Sequence, residues 1–175
     1  MGDEVTIRPI KPGDRLSGLS LGVTEFQPLK TFLRRDAAKY HAANLAKTYG
    51  AFLSSRPDNA VGYVTLVCGE IGTDARLRTV ETTEFTYDHY PALEIARLAV
   101  NKALQGQGIG RRLTRLALGI AKEEICPRVG CRFVTLDAKK LSIEFYRKEG
   151  FVLLDTEDNL AREHPVMFFD LNHHP

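Results

Sequence analysis

Apolar and polar positions recur along the chain with two periods, which predict a mixed α/β fold. Helical spacing of apolar residues predicts an amphipathic helix from about Gln27 to Lys47, a second that follows Gly110 and ends before Pro127, and a third over Leu141–Glu149. Alternating positions and short apolar runs predict six to seven strands, at Val5–Ile10, Thr48–Leu53, Val61–Cys68, Leu93–Val100, Arg132–Asp137, Phe151–Leu154 and Val166–Leu171.

The connections between these elements carry their own signals. Pro57-Asp58-Asn59 is turn chemistry and predicts a hairpin between the second and third strands. Gly150 follows the third helix and fits a C-cap. The periodic pattern is lost from Gly69 to Pro91, which predicts a long loop, and a loop of that length inside a compact domain is more often functional than idle.

The most informative stretch runs from Leu93 to Arg112, because it predicts a strand, a glycine-rich turn and a helix in that order. Gly106, Gly108 and Gly110 lack a Cβ, so the backbone can approach a ligand closely and direct N–H groups toward it at the positive end of a helix dipole. The natural ligand of such a loop is a diphosphate. The alternative is an ordinary glycine-rich turn whose basic neighbours are solvated.

Two well-known diphosphate loops are excluded by the residues present. A Rossmann loop would have a third glycine where Arg111 stands, and a Walker A loop would have Gly-Lys-Ser/Thr at positions 110–112. Lys102, Arg111 and Arg112 are nevertheless predicted to face phosphates as charge-assisted donors.

Composition narrows the class of protein. The 175 residues suffice for one domain, 1–175, with a substantial core, and 43% hydrophobic with 26% charged residues argues against disorder. A net charge of +2 excludes a uniformly basic nucleic-acid coat but allows a local basic patch. Cys68, Cys126 and Cys131 lack metal-ligand spacing and predict reduced thiols in a cytoplasmic protein with no metal site. No signal peptide and no apolar run of membrane-spanning length is present.

A tyrosine in the third predicted helix is a candidate for chemistry. Leu141 and Phe145 lie four residues apart on one face and are expected to join Phe151 in the core, whereas Tyr146 is turned about 100° away. Ser142, one turn earlier on that second face, leaves space beside the ring. A phenol next to a cleft can donate a proton; the alternative is a tyrosine packed in the core.

Two motifs together resemble the GNAT superfamily of N-acetyltransferases. The first is Gln-x-x-Gly-x-Gly at residues 105–110, directly after a strand, and the second is Phe-Tyr-x-x-x-Gly-Phe at residues 145–151. The resemblance implies a central mixed, mostly antiparallel sheet of six to seven strands flanked by about four helices, with a splayed strand pair that holds acyl-CoA. It implies acetyl-CoA as the cofactor.

The resemblance also implies roles for individual residues. Acetyl transfer needs a neutral amine and a protonated leaving thiol, and Tyr146 is the expected general acid because its ordinary pKa of about 10 suits proton donation to a thiolate. Glu94 is the expected base, acting through water as in histone-type members; the alternative is an ion-paired strand glutamate. The residues assigned to acetyl-CoA are Leu98, Ala99, Val100, Gln105, Gly106, Gln107, Gly108, Ile109, Gly110, Arg111 and Arg112.

The N-terminal half resembles the GNAT toxins of bacterial type II toxin–antitoxin systems, through the pattern over Glu25–Ala37, through Lys47-Thr48-Tyr49 and through Arg97–Val100. This resemblance implies transfer to the α-amine of charged tRNA, a small DNA-binding antitoxin as partner, and a homodimer. Arg34, Arg35 and Arg97 are the expected RNA contacts, because phosphate contacts supply most non-specific affinity. Two alternatives stay open: a small-molecule or protein amine as acceptor, and a non-catalytic acyl-CoA-binding module.

Overall fold

A computed structural model describes residues 3–72 and 88–172. The chain forms two compact units, the first made of residues 1–67 and 96–116 and the second of residues 68–95 and 117–175. A single domain over 1–175 stays a prediction. In the part of the chain that the structure describes, no helix has the length and apolar character needed to cross a bilayer. The three cysteines are free thiols, as the sequence predicts.

The described residues form seven strands in one sheet, in the order β1-β2-β3-β4-β5-β7-β6. The β1/β2, β2/β3, β5/β7 and β6/β7 pairs are antiparallel, and β4 pairs with β5 in parallel. This confirms the predicted mixed, mostly antiparallel sheet. The strands are β1 Val5–Pro9, β2 Lys47–Leu53, β3 Arg56–Gly72, β4 His89–Val100, β5 Phe133–Asp137, β6 Val152–Leu153 and β7 Val166–Asp170.

The parallel pairing of β4 with β5 is short, as expected for a splayed pair. It joins Ala92 to Phe133, Leu93 to Val134 and Glu94 to Thr135, and it ends there although β5 continues to Asp137. The backbone next to Glu94 is therefore at the point where the two strands stop sharing hydrogen bonds.

Within residues 3–72 and 88–172, five α-helices accompany the sheet, close to the expected four. A π-helical segment at Ile120–Ile125 continues the helix that follows the glycine loop. This helical region therefore ends before Pro127, as predicted. The helices are α1 Gln27–Arg35, α2 Ala37–Ala42, α3 Ile109–Gly119, α4 Ile143–Lys148 and α5 Glu157–Ala161.

The prediction of one continuous helix from Gln27 to Lys47 is wrong. Asp36 separates α1 from α2 with a φ of −120°, outside the helical range. Asn44 then takes a left-handed φ of 57°, and Lys47 already belongs to β2. Apolar spacing alone did not reveal the break, because the residues on both sides of Asp36 keep helical periodicity.

Two predicted connections also need correction. The hairpin between β2 and β3 is confirmed, but its turn is at Ser54-Ser55, and residues 57–59 lie within β3. The predicted loop from Gly69 to Pro91 is too long at both ends, because β3 continues to Gly72 and β4 begins at His89. Residues 73–87 of that prediction lie outside the described residues.

Each unit has its own apolar cluster. The cluster of the first unit includes Phe32, Leu33, Phe52 and Tyr63, so it joins α1 to β2 and β3. The cluster of the second unit contains Ile71, Tyr90, Ala92, Phe133, Leu154 and Phe168.

An ion pair fixes the segment after β1. Both terminal nitrogens of Arg8 donate to the Asp14 carboxylate at 2.8 Å, and the Lys11 N–H donates to the same group. These bonds hold the pKa of the Asp14 carboxyl below its ordinary value. The stabilisation is therefore complete above pH about 4 and is lost as the pH falls through the lowered folded-state pKa.

We expect Asp14→Asn to lower the free energy of unfolding by about 1–3 kcal/mol at pH 7, measured by urea denaturation. The difference from the unsubstituted protein should shrink as the pH falls through the lowered folded-state pKa of Asp14, because the carboxyl then becomes uncharged like the amide. Asp36→Asn is the control, because Asp36 forms an exposed ion pair with Lys39 and should cost less than about 0.5 kcal/mol. A pH-independent loss for Asp14→Asn would contradict the assignment.

Candidate functional site

The glycine loop adopts the backbone that its sequence predicts. Gly106 and Gly108 have φ values of 80° and 82°, in the left-handed region that residues with a Cβ rarely adopt. No heavy atom lies within 4 Å of the position that a Cβ on either glycine would take, so the space beside the loop is open. Helix α3 begins at Ile109, immediately after the second of these glycines.

The loop presents unpaired donors. Among the described residues, the first helical bond runs from the Arg112 N–H to the Gly108 carbonyl at 3.0 Å, and no acceptor faces the amides of residues 106–110. Gln105 anchors the loop, because its side-chain Nε2 donates to the Val100 carbonyl at 3.1 Å. Consecutive free amides at a helix N-terminus bind anions, and this row of five suits the two phosphates of a diphosphate.

The strand that leads to the loop is firmly packed. Ala99 and Val100 are buried at the end of β4, and Leu98 is half-buried. A Cβ on Gly62 of β3 would lie 3.1 Å from the Ala99 carbonyl oxygen, so glycine allows the two strands to approach closely there. The backbone at these residues is thus held in place on its β3 side.

The basic residues near the loop have different fates. The Arg112 guanidinium donates to the Val5 carbonyl at 2.8 Å, a contact that competes with a phosphate. Arg111 is exposed on the first turn of α3. The Lys102 side chain lies over Gly22, where a Cβ would overlap Lys102 Cδ.

Tyr146 is largely buried, and its position beside a cleft next to Ser142 stays a prediction. Its ring is 7% exposed and contacts Phe145 and Phe151, with centroids 5.0 and 5.7 Å away. Leu141, expected in the core, is instead 67% exposed. The reason is that residues 140–142 form a 3₁₀ turn, so the four-residue spacing from Leu141 to Phe145 does not define one α-helical face.

The environment of the Tyr146 hydroxyl keeps it protonated. Burial raises the pKa of the phenol above its ordinary value. No residue in ranges 3–72 and 88–172 hydrogen-bonds to it. A neutral phenol whose proton is not already committed can act as a hydrogen-bond or proton donor to a ligand.

Glu94 lines a cavity of about 500 Å³ in the second unit. Its side chain packs over Gly69 of β3, where a Cβ would lie 3.2 Å from both Glu94 Cβ and Oε2. Thr135 and Asp137 of β5 also line the cavity, together with residues of α5. The predicted base therefore reaches a space large enough for a substrate group.

Sequence reasoning missed α5 and the cavity residues that it contributes. Thr156 accepts a hydrogen bond from the Asn159 N–H at 3.1 Å as a helix N-cap, and Glu157 and Asp158 occupy the first turn. This order of a capping threonine and two acids is a start signal that the sequence displays.

The three predicted RNA-binding arginines belong to the first unit. Arg34 and Arg35 are exposed at the end of α1. The Arg97 guanidinium lies 3.9 Å from the centroid of the Phe32 ring, so a cation–π contact joins Arg97 to α1. His41 does not add charge: its Nδ1 accepts the Thr48 N–H, and burial holds its pKa below the ordinary value.

The sequence model of the Acetyltransferase (GNAT) family matches residues 23–151, which include the glycine loop, Glu94 and Tyr146. The chain belongs to the GNAT family of acetyltransferases. The family and the enzyme class predicted from the sequence are therefore confirmed. No group of three or more potential metal ligands occurs among the residues that the structure describes.

Three solved structures show how far the GNAT fold extends. AtaT complexed with acetyl-methionyl-tRNAfMet has a TM-score of 0.83 at 22% identity, over 97% of this chain and 96% of that one. A tyrosine-to-phenylalanine variant of KacT has a TM-score of 0.80 at 22% identity, over 96% of this chain and 95% of that one. The third structure is a tyrosine-to-phenylalanine variant of the AtaT toxin bound to the C-terminus of the antitoxin AtaR and to acetyl-CoA. Its TM-score is 0.75 at 21% identity, over 97% of this chain and 95% of that one. The predicted resemblance to GNAT toxins thus holds for the fold of nearly the whole chain.

Proposed function

We propose that this GNAT protein is an acetyl-CoA-dependent N-acetyltransferase that acetylates the α-amine of aminoacyl-tRNA and so blocks translation. The row of free amides at residues 106–110 carries the acetyl-CoA part of the proposal, because it offers five backbone donors next to a helix N-terminus. Gln105, which anchors the loop, and Arg111, which is exposed beside it, complete the set of groups that would hold the cofactor.

Acetyl-CoA supplies an acetyl group activated as a thioester. Glu94 takes the proton that the acceptor amine loses, directly or through water. An α-amine has a pKa near 8, so much of it is neutral at physiological pH and a weak carboxylate base suffices. Tyr146 donates its proton to the departing sulfur, a role supported by its place in the Phe-Tyr-x-x-x-Gly-Phe motif at residues 145–151.

The tRNA acceptor is supported by two observations. The fold extends over almost all of AtaT, whose structure was solved in complex with acetyl-methionyl-tRNAfMet. The first unit carries exposed Arg34 and Arg35 on α1, and Arg97 contacts the same helix through Phe32. Arginines gathered on one helix suit the phosphates of an RNA acceptor stem.

The direct test is to follow labelled acetyl groups. The protein is incubated with labelled acetyl-CoA and, separately, with total charged tRNA, a polyamine panel and a lysine-rich protein. Label released from tRNA as N-acetyl amino acid after mild base treatment is the expected result. Label on the polyamine or the protein alone would show that the acceptor is a small-molecule or protein amine rather than tRNA. Absence of transfer to all three would favour a non-catalytic acyl-CoA-binding module.

Charge reversal at the arginines separates RNA from small acceptors. The double variant Arg34→Glu, Arg35→Glu should lower kcat/KM for charged tRNA by about 10- to 100-fold and should reduce its salt dependence, because phosphate contacts are lost. Turnover of a small amino-acid ester should stay unchanged.

The matched control is Lys11→Glu, Arg15→Glu, which makes the same change in net charge at exposed positions of the same unit. It should keep kcat/KM for tRNA within about twofold. If both double variants lose tRNA activity equally, the effect is one of net charge rather than of α1.

An antitoxin partner, a homodimer and a cytoplasmic location complete the proposal. The AtaT variant was solved bound to the C-terminus of the antitoxin AtaR, and a KacTA–DNA complex has a TM-score of 0.70 with this chain at 22% identity. A small DNA-binding protein encoded beside this chain is therefore expected, and its co-purification with this protein would support the toxin–antitoxin assignment.

A further inference from the structure

A buried tyrosine of β3 holds α1 in place. Tyr63 is fully buried, and its hydroxyl donates to the Leu29 carbonyl of α1 at 2.6 Å. A helical carbonyl that accepts the N–H four residues later keeps a second lone pair, which this hydroxyl can use. Burial raises the pKa of the Tyr63 phenol, while the positive charge of Arg97 acts in the opposite direction. The phenol therefore stays protonated and remains a donor at physiological pH.

The ring of Phe32, one turn further along α1, is held from two strands. Its centroid lies 6.4 Å from that of the Tyr63 ring, and the two ring planes are only 26° apart. The guanidinium of Arg97 in β4 lies 3.9 Å from the same centroid. Phe32 is buried and Arg97 is half-buried, so both contacts are partly shielded from water. Two residues, Tyr63 and Phe32, thus connect α1 to both β3 and β4.

This connection fixes how α1 is turned. A nine-residue helix is too short to be stable by itself in water, so tertiary contacts set its position. Apolar contacts are non-directional and would tolerate small rotations of the helix. A hydrogen bond to one carbonyl and a cation over one ring do not tolerate them, because both depend on distance and angle. The exposed Arg34 and Arg35 at the end of α1 are therefore held at a defined distance from Arg97.

We propose that Tyr63 and Phe32 are positioning residues for the RNA acceptor. They hold α1 in register with β4, so that the arginines at positions 34, 35 and 97 contact phosphates together. Neither residue touches RNA, because both side chains are buried. Without the Tyr63 hydroxyl the arginines would keep their charges, but binding would include the cost of ordering α1. The inference rests on the proposed function, since it concerns the tRNA acceptor.

The test is Tyr63→Phe, which removes the hydroxyl and keeps the ring against Phe32. KM for charged tRNA should rise by about three- to tenfold, whereas kcat should stay within about twofold. Turnover of a small amino-acid ester should not change, because that acceptor has no phosphates for the arginines to contact. Phe32→Leu, which removes the ring that Arg97 covers, should raise KM for tRNA by at least as much.

Thr65→Val is the matched control. Thr65 lies two residues further along β3, is fully buried and shares a hydrogen bond of 2.8 Å with Thr48 of β2, a bond that does not involve α1. KM for tRNA should stay within about twofold in this variant. Thermal melting identifies a temperature at which all variants are folded. A rise in KM equal to that of Tyr63→Phe would show that the effect comes from lower stability, and it would overturn the inference.

A comparison in a second background tests the route of the effect. If Tyr63 acts through the arginines, Tyr63→Phe should change KM for tRNA by less than about twofold in the Arg34→Glu, Arg35→Glu variant. The full rise in that background, or an equal loss with the small ester, would overturn the inference and leave the proposed function intact. If the unsubstituted protein transfers no label to any aminoacyl-tRNA, the proposed function itself is overturned and the inference falls with it.

Discussion

Replacement of Tyr146 by phenylalanine is expected to lower kcat for acetyl transfer by about 10²- to 10⁴-fold, the usual contribution of one acid–base group. The substitution removes a single oxygen and keeps the ring that packs on Phe145 and Phe151. The affinity for acetyl-CoA, measured by calorimetry, should therefore stay within about twofold of that of the unsubstituted protein. The melting temperature should stay within a few degrees. The measurement is single-turnover transfer from labelled acetyl-CoA.

Tyr90 supplies the control. It is also 7% exposed, belongs to the same unit, and packs on Phe133 with a centroid distance of 5.8 Å. Tyr90→Phe should leave turnover within about twofold. If Tyr146→Phe also retained most of its turnover, Tyr146 would be a core aromatic and another group would protonate the thiolate.

Loss of the two left-handed glycines is expected to abolish tight acetyl-CoA binding. Valine at positions 106 and 108 would place a β-branched residue in the left-handed backbone conformation. That conformation costs a residue with a Cβ about 1–2 kcal/mol at each position, and β-branched residues adopt it least readily. The loop of the double variant would relieve this strain by leaving the conformation that binds acetyl-CoA. A total of about 2–4 kcal/mol then corresponds to a rise of roughly 100-fold in the acetyl-CoA dissociation constant. Calorimetry of the Gly106→Val, Gly108→Val double variant measures it.

A third left-handed glycine of the first unit separates strain from binding. Gly13 has a φ of 95°, and no heavy atom lies within 4 Å of its Cβ position, as at the loop. Gly13→Val should lower the melting temperature through the same kind of strain, yet leave the acetyl-CoA dissociation constant within about twofold. An unchanged dissociation constant in the loop variant, or an equal loss in Gly13→Val, would show that the amides of 106–110 do not bind the diphosphate.

The sequence predicted the sheet and the glycine loop well, for identifiable reasons. Strands such as β5 and β7 are short apolar runs whose boundaries are marked by polar or turn residues. The loop is recognisable because Gly106 and Gly108, which both adopt a left-handed φ, stand directly before a helical pattern. The family motifs then located Tyr146 and Glu94 within these elements. Local sequence was sufficient wherever a single element fixes the geometry.

Tertiary packing decided the cases in which the sequence failed. The helical phase from Leu141 to Tyr146 was misread because a 3₁₀ turn precedes α4, and only the neighbouring rings of Phe145 and Phe151 determine which side chain is buried. Residue type alone would make His41 a potential cation beside Arg34 and Arg35, but the Thr48 N–H of β2 donates to its Nδ1, which makes the ring an acceptor. The cavity beside Glu94 joins residues from β3, β4, β5 and α5, which no local pattern connects.

The π-helical segment at Ile120–Ile125 affects how the length of this chain can vary. Its closing bond runs from the Cys126 N–H to the Ala121 carbonyl at 2.9 Å, so the turn contains one residue more than an α-helical turn. Deleting one amino acid from this turn would restore ordinary helical spacing without shifting Pro127 or the residues before Ile120 by a full turn. Natural homologues that differ by a single-residue insertion or deletion should therefore place it here.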